Sequence, residues 1–158
     1  RGSYSGDMGL PQFMPSSWAE YGVDGDSDGK VNLWNAPDAS ASVANYLQGH
    51  GWVAGLPAFF KVSIHSPPDQ WSVLLNAGIK PSLTLEEMRL RGVEVPAFNA
   101  NPATLLSLVE LENGESKALQ IAGTNNFAAL TRYNPSRYYA LAVIQLASEI
   151  QKARDAAR

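Results

Sequence analysis

Hydrophobic and polar positions change rhythm twice along this chain. Up to about Gly55, apolar residues come in short clusters broken by Gly, Pro and Asp. Ser17 with Glu20 three residues later has the form of a capping box, which predicts a short helix that Gly22 closes. Asp38, after Pro37, opens a second helix that runs through Val43, Tyr46 and Leu47 and ends near Gly49 and Gly51. From Leu56 to Gly123 the spacing shortens. "FFKVSI" and "LLSLVELENGESKALQIAG" read as strands, with Asn113-Gly114 as a hairpin turn. Between them "TLEEMRLRGV" reads as a helix from Thr84 to Arg91. Beyond Gly123, Tyr139, Ala142, Val143, Leu146, Ile150 and Ala153 recur at helical spacing and predict a long helix from about Ser136. The class is therefore α+β, mainly helical, with parts at 1–55, 56–123 and 124–158. The middle part reads as a small β insertion in a helical core.

Composition narrows the partners. The 158 residues suffice for one domain with a real core, or one core with a small insertion. A net charge of −3 offers no basic stripe for nucleic acid. No apolar run approaches the ~18 residues that span a bilayer. With no cysteine, disulfides and thiolate metal sites are excluded.

Two stretches carry candidate chemistry. "SYSGDMGLPQFMPSSW", Ser3 to Trp18, packs two glycines, two prolines and several large apolar residues into a segment with almost no charge. An amide such as Gln12 in so apolar a stretch needs partners if it is buried. Phe13 and Met14 read first as core residues. The second stretch is "DGDSDGKVNLWNAPD". Asp24, Asp26 and Asp28 place carboxylates at alternate positions before Gly29, as in the first half of an EF-hand loop. Lys30, at the seventh position, would add its backbone carbonyl. The twelfth position is Asn35 instead of a bidentate Glu, and the next carboxylate, Asp38, stands at the fifteenth. A longer loop can still bring Asp38 in, and calcium suits such a carboxylate-rich, flexible loop better than magnesium. The alternative is an acidic surface turn held by its own Asx hydrogen bonds.

With "RGSYSGDMGLPQFMPSSW", "VDGDSDGKVNLWNAPDASASVANYLQGHGW" and, late in the chain, "NNFAALTRYNPSRYYALAV", the sequence resembles the membrane-bound lytic transglycosylase B family of bacterial cell-wall enzymes. The likeness is close over about the first 55 residues, good over the last 35 and loose between. It implies a goose-lysozyme-like core, an EF-hand-like calcium loop of extended spacing and a small inserted antiparallel β subdomain. It also implies a periplasmic protein, acting as a monomer on peptidoglycan glycan strands. Such an enzyme cleaves the MurNAc–GlcNAc β-1,4 bond and closes a 1,6-anhydromuramic acid ring.

Carried over residue by residue, the resemblance makes Ser3, Gln12, Phe13, Tyr46, Asn126, Phe127 and Tyr133 the substrate-binding set, with Asp24, Asp26, Asp28, Lys30 and Asp38 holding calcium. Tyr46 and Tyr133 stay open between core and groove. Arg132 reads as a structural ion-pair residue. Asp7 stands where related sequences tend to carry a small residue, which leaves the groove shape open. The family's single catalytic Glu lies upstream of "SYSGDMG", so it is expected before Arg1. Glu20, Glu86, Glu87, Glu110, Glu112 and Glu115 receive no role. The competing readings are a noncatalytic calcium-binding glycan-binding module and a calcium-dependent interaction protein.

Overall fold

The computed structural model describes residues 3–158. Its backbone falls into two compact units, with the division between Trp52 and Val53.

In the first unit an antiparallel bridge joins Met8 and Phe13, with Met8 N–H to Phe13 O at 2.8 Å and Phe13 N–H to Met8 O at 3.0 Å. The turn between them is "GLPQ". Gly9 has φ +68°, and a Cβ there would stand 2.5 Å from the Cβ and carbonyl oxygen of Leu33. Leu10 N–H then donates to Leu33 O at 2.8 Å. Glycine is thus required twice over at position 9, by backbone shape and by closeness to Leu33.

Helix α1 spans Pro15–Tyr21 and α2 spans Ala36–Gly49. The capping box expected at Ser17 and Glu20 is absent. Met14 occupies the N-cap without a side-chain hydrogen bond, and proline sits at the start of the helix. Proline's fixed φ begins the helix earlier and leaves Ser17 inside the first turn. Gly22 does close α1, its N–H donating to Trp18 O. Helix α2 starts two residues before Asp38, because Asn35 caps it by accepting from Asp38 N–H. Val23 N–H donates to the buried Ser42 Oγ at 2.9 Å, and Asn45 Nδ2 donates to Tyr21 O at 3.2 Å.

The second unit contains a three-stranded antiparallel sheet of order β1-β5-β4, where β1 is Phe59–Lys61, β4 is Ser107–Asn113 and β5 is Ser116–Gly123. Gly123 pairs with Phe59 on one side and Ser107 on the other. "FFKVSI" does not form one strand. After Lys61 the chain leaves the sheet, and Ser63–Ile64 (β2) pairs with Val93–Glu94 (β3). The hairpin turn lies one residue later than expected, because Asn113 still pairs with Ser116 and a register shift follows Leu111. Gly114, at φ +58°, enters a Gly114-Glu115 turn. Pro68–Trp71 (α3) and a 3-10 stretch, Ser72–Ala77, follow β2. Helix α4, Leu85–Leu90, has a complete capping box between Thr84 and Glu87. The core gathers Phe60, Trp71, Leu74, Met88, Leu106 and Leu108 around the sheet.

Helices α5, Asn125–Tyr133, and α6, Arg137–Ala156, complete the unit. Ser136 caps α6, as its periodicity and polar start suggest. Leu146 and Ile150 on that helix are exposed. Among the described residues no helix is long and apolar enough to cross a membrane.

Candidate functional site

The opening loop holds Gln12 in an unusual state. Its φ is +52°, in the left-handed region that a β-carbon disfavours. Its Nε2 donates to Gly9 O at 2.8 Å, and the residue is exposed. One amide hydrogen thus closes the turn from an exposed residue. Strain of this kind, in a loop pinned by Met8, Phe13 and Leu33, fixes where the free end of the amide stands. Ser3 Oγ donates to Asp7 Oδ2 at 2.8 Å and accepts from Asp7 N–H at 3.1 Å. Asp7 therefore orders Ser3.

Phe13 is buried, and its ring lies 5.6 Å from that of Tyr46. Tyr46 also meets Tyr21 edge-on at 5.0 Å and stacks on His50 at 4.1 Å, with ring planes 22° apart. His50 Nδ1–H donates to Tyr46 O at 2.8 Å, since a carbonyl oxygen can only accept. The hydrogen bond that the Tyr21 hydroxyl donates to the Glu20 carboxylate, then burial, raises the Tyr21 pKa above its ordinary value. His50 and Tyr21 carry no motif, yet both hold Tyr46 in place. The spacing of His50 four residues after Tyr46 on α2 was the available signal.

The acidic loop converges. One carboxylate oxygen from each of Asp24, Asp26 and Asp28 lies within 4.8 Å of the others. Asp24 Oδ2 accepts from Gly29 N–H at 2.8 Å, and Asp28 Oδ1 accepts from Lys30 N–H at 2.8 Å. Asn35 Nδ2 donates to Asp26 Oδ2 at 3.1 Å. Burial, and after a partly compensating N–H bond the neighbouring carboxylates of Asp38, Asp28 and Asp24, raise the Asp26 carboxyl above its ordinary value. A divalent cation would reverse that repulsion.

Asp38 plays a different part from these three. It is buried, and its Oδ2 accepts from Asn32 N–H at 2.6 Å while Oδ1 accepts from Gly25 N–H at 2.8 Å. The Asn32 bond, with those from Gly25 and Asp26 N–H, holds its pKa below the ordinary value despite burial. Asp38 therefore laces the two ends of the loop to the first turn of α2. Hard oxygen donors on a turn with Gly29 at φ +89° fit a calcium-sized ion.

In the second unit Asn126 is fully buried. Its Nδ2 donates to Val53 O at 2.9 Å and Leu56 O at 2.6 Å, and its Oδ1 accepts from Val53 N–H at 2.7 Å. With both amide hydrogens committed, Asn126 shapes residues 53–56 and has little left for a ligand. Phe127 is also fully buried, so it is a core residue and not a contact surface. Tyr133 ends α5 half-buried. Glu20, Glu86, Glu87, Glu112 and Glu115 are exposed, and Glu110 is half-buried, accepting from Gln120 Nε2 at 2.7 Å. None of these six is buried.

Residues 1–148 match the transglycosylase SLT domain family. The chain belongs to that family. It is 37% identical over 163 aligned positions to the membrane-bound lytic murein transglycosylase B of Escherichia coli (strain K12), covering 98% of this chain and 40% of that protein. The crystal structure of the soluble lytic transglycosylase SltB1 from Pseudomonas aeruginosa superposes with a TM-score of 0.84 at 40% identity, over 98% of this chain and 50% of that one. The transglycosylase Slt35 of E. coli, solved in complex with calcium, gives a TM-score of 0.76 at 33% identity, over 98% and 47%. SltB3 from P. aeruginosa, solved with NAG-anhNAM-pentapeptide, gives 0.76 at 37% identity, over 96% and 40%. The chain thus spans half or less of the length of each family member compared. Its helical architecture with a small antiparallel sheet is the one these transglycosylases share.

Proposed function

We propose that this chain is part of a peptidoglycan lytic transglycosylase of the bacterial envelope, working in the periplasm as a monomer. The parent enzyme cleaves the MurNAc–GlcNAc β-1,4 bond and closes a 1,6-anhydromuramic acid ring without water. A single carboxyl donates a proton to the glycosidic oxygen and then takes one from the muramoyl 6-hydroxyl. The reading rests chiefly on one observation: family membership over 148 residues, beside a relative crystallised with an anhydro-muropeptide.

This chain contributes a wall for the glycan. Gln12 offers its side-chain amide from a turn at φ +52°, with Ser3 ordered by Asp7 nearby in sequence and Tyr46 held by His50 and Tyr21. In the second unit we assign Tyr133 to the glycan contacts, with Asn126 and Phe127 as buried support within that unit. Asp24, Asp26, Asp28 and the Lys30 carbonyl hold a structural calcium in an EF-hand-like loop, with Asp38 closing it. The calcium-bound relative supports this assignment. We keep the three-part division, 1–55, 56–123 and 124–158, of a goose-lysozyme-like core with an inserted β subdomain. Because Glu20, Glu86, Glu87, Glu112 and Glu115 are exposed and Glu110 is half-buried, we assign the proton donor to none of them.

The test is release of anhydro-muropeptides from purified sacculi, read by mass spectrometry. The chain alone yields none, and a parent-length protein yields them. Anhydro products from the chain alone would overturn the assignment of the acid. Hydrolysed, non-anhydro products from the parent would overturn the reaction.

A further inference from the structure

Two hollows adjoin in the second unit, where the β4–β5 hairpin meets the start of α6. The first, of about 500 Å³, is lined by Leu75, Glu110, Pro135 and Arg137 among others. The second, of about 470 Å³, takes in Lys117, Leu119, Leu141 and Gln145. Glu112 and Tyr138 line both, so the two form one groove. Its walls are built. Arg137 Nη1–H donates to Glu110 O at 3.2 Å and ties α6 to β4. Ser136 N–H donates to Asn134 Oδ1 at 3.0 Å, and Ser136 Oγ accepts from Tyr139 N–H at 3.2 Å. The Glu110 carboxylate accepts from Gln120 Nε2 at 2.7 Å. Three other charges face a ligand more freely. Arg137 is exposed and has N–H donors beyond the one bonded to Glu110. Glu112 and Lys117 are exposed and stand in no ion pair among the described residues. Tyr138 and Leu119 add exposed apolar surface.

We infer that this groove binds the peptide stem of peptidoglycan, a short peptide with carboxylates on either side of one ammonium. The order of charge selects it. Arg137 belongs to the first hollow alone, Lys117 to the second alone, and Glu112 to both. A carboxylate, an ammonium and a second carboxylate would meet them in that sequence through charge-assisted hydrogen bonds. Alanine methyls suit the apolar surface of Tyr138, Leu119 and Leu141. A neutral sugar would strip water from the three charges and return no counter-charge. The inference rests on the peptidoglycan reading above and adds a place for the peptide, on none of the residues assigned there to the glycan.

The probe is N-acetyl-L-Ala-γ-D-Glu-meso-diaminopimelyl-D-Ala, titrated into the isotopically labelled chain and followed by amide NMR. The comparison ligands are the same peptide with its remaining amine acetylated, N-acetylglucosamine, and an all-L N-acetyl-Ala-Glu-Lys-Ala peptide. The stem peptide should move the backbone signals of Glu112, Lys117 and Tyr138, and N-acetylglucosamine should move none of them. The fully acetylated form should bind about fivefold more weakly, the worth of one exposed charged contact. Glu112→Gln should weaken the stem peptide about fivefold and erase its advantage over the acetylated form. Lys117→Gln should weaken both forms alike. No shift at these residues, equal binding of the two forms, a response to N-acetylglucosamine there, or an amine preference that survives Glu112→Gln would overturn the inference. Tighter binding of the all-L peptide would make the occupant a protein segment and overturn it too. Normal anhydro-muropeptide release by the parent, with these signals unmoved, would reject the groove and leave the transglycosylase reading standing.

Discussion

Between residues 24 and 38, backbone N–H groups of Gly25, Asp28, Gly29, Lys30 and Asn32 are taken by carboxylates. Between residues 107 and 123 they are taken by a neighbouring strand, over a core of Leu106, Leu108 and Ala122. Both segments hold backbone in one shape, the first as bends and turns and the second as strands. The first does it with charge, so its order depends on protons and cations. The second does it with apolar burial, which neither controls. A site that must respond to a metal and present a fixed edge belongs to the first kind, and a scaffold to the second.

The sharpest separation comes from core truncation. Leu106→Ala, at a fully buried position, should cost about 2–5 kcal/mol. Hydrogen exchange should show the loss of protection in residues 53–158, and the calcium response should be unchanged. An altered calcium midpoint would break the distinction between the two segments. Next is the metal itself. Calcium at a hundredfold excess over its Kd should stabilise the fold by about 2.7 kcal/mol relative to chelator, measured by melting. Asp24→Asn should remove most of that gain. Equal melting midpoints with calcium and chelator would reject the site.

Thr84→Ala removes a capping box from α4 and should cost about 1 kcal/mol, with no calcium dependence. Acid should tell individual carboxylates apart by sign. Asp38 has a folded pKa below its ordinary 3.8, so its contribution is present above 3.8 and lost as pH falls through the lower folded value. Glu87, lowered from 4.5 by the Thr84 N–H and hydroxyl, behaves likewise. Asp26 runs the other way. Its raised value means that, without calcium, protonation relieves the loop as pH falls toward 3.8. Bound calcium should abolish that gain, as read from melting against pH in chelator and in calcium.

Legibility in sequence followed the same divide. Local signals with local partners were readable: the start of the last helix near Ser136, the Thr84–Arg91 helix and the alternation of Asp24, Asp26 and Asp28. Competing local signals were read less well. Pro15 outweighed the Ser17–Glu20 pattern, and Asn113 stayed in the ladder where a turn was expected. Asn126 left no local trace, because its partners at Val53 and Leu56 stand some 70 residues away. Its amide is bonded to Val53 and Leu56. Asp38 was legible as part of the loop, and its buried bonds to Gly25 and Asn32 N–H were not.

The account turns on whether the strained turn at Gln12 meets the glycan. Gln12→Gly removes the amide and suits φ +52° better than glutamine does, so it separates contact from backbone strain. A GlcNAc–MurNAc oligosaccharide titrated into the chain and its variant should bind about fivefold more weakly to the variant, the worth of one hydrogen bond, with the melting midpoint held or raised. Undiminished binding to the Gln12→Gly protein would contradict the account.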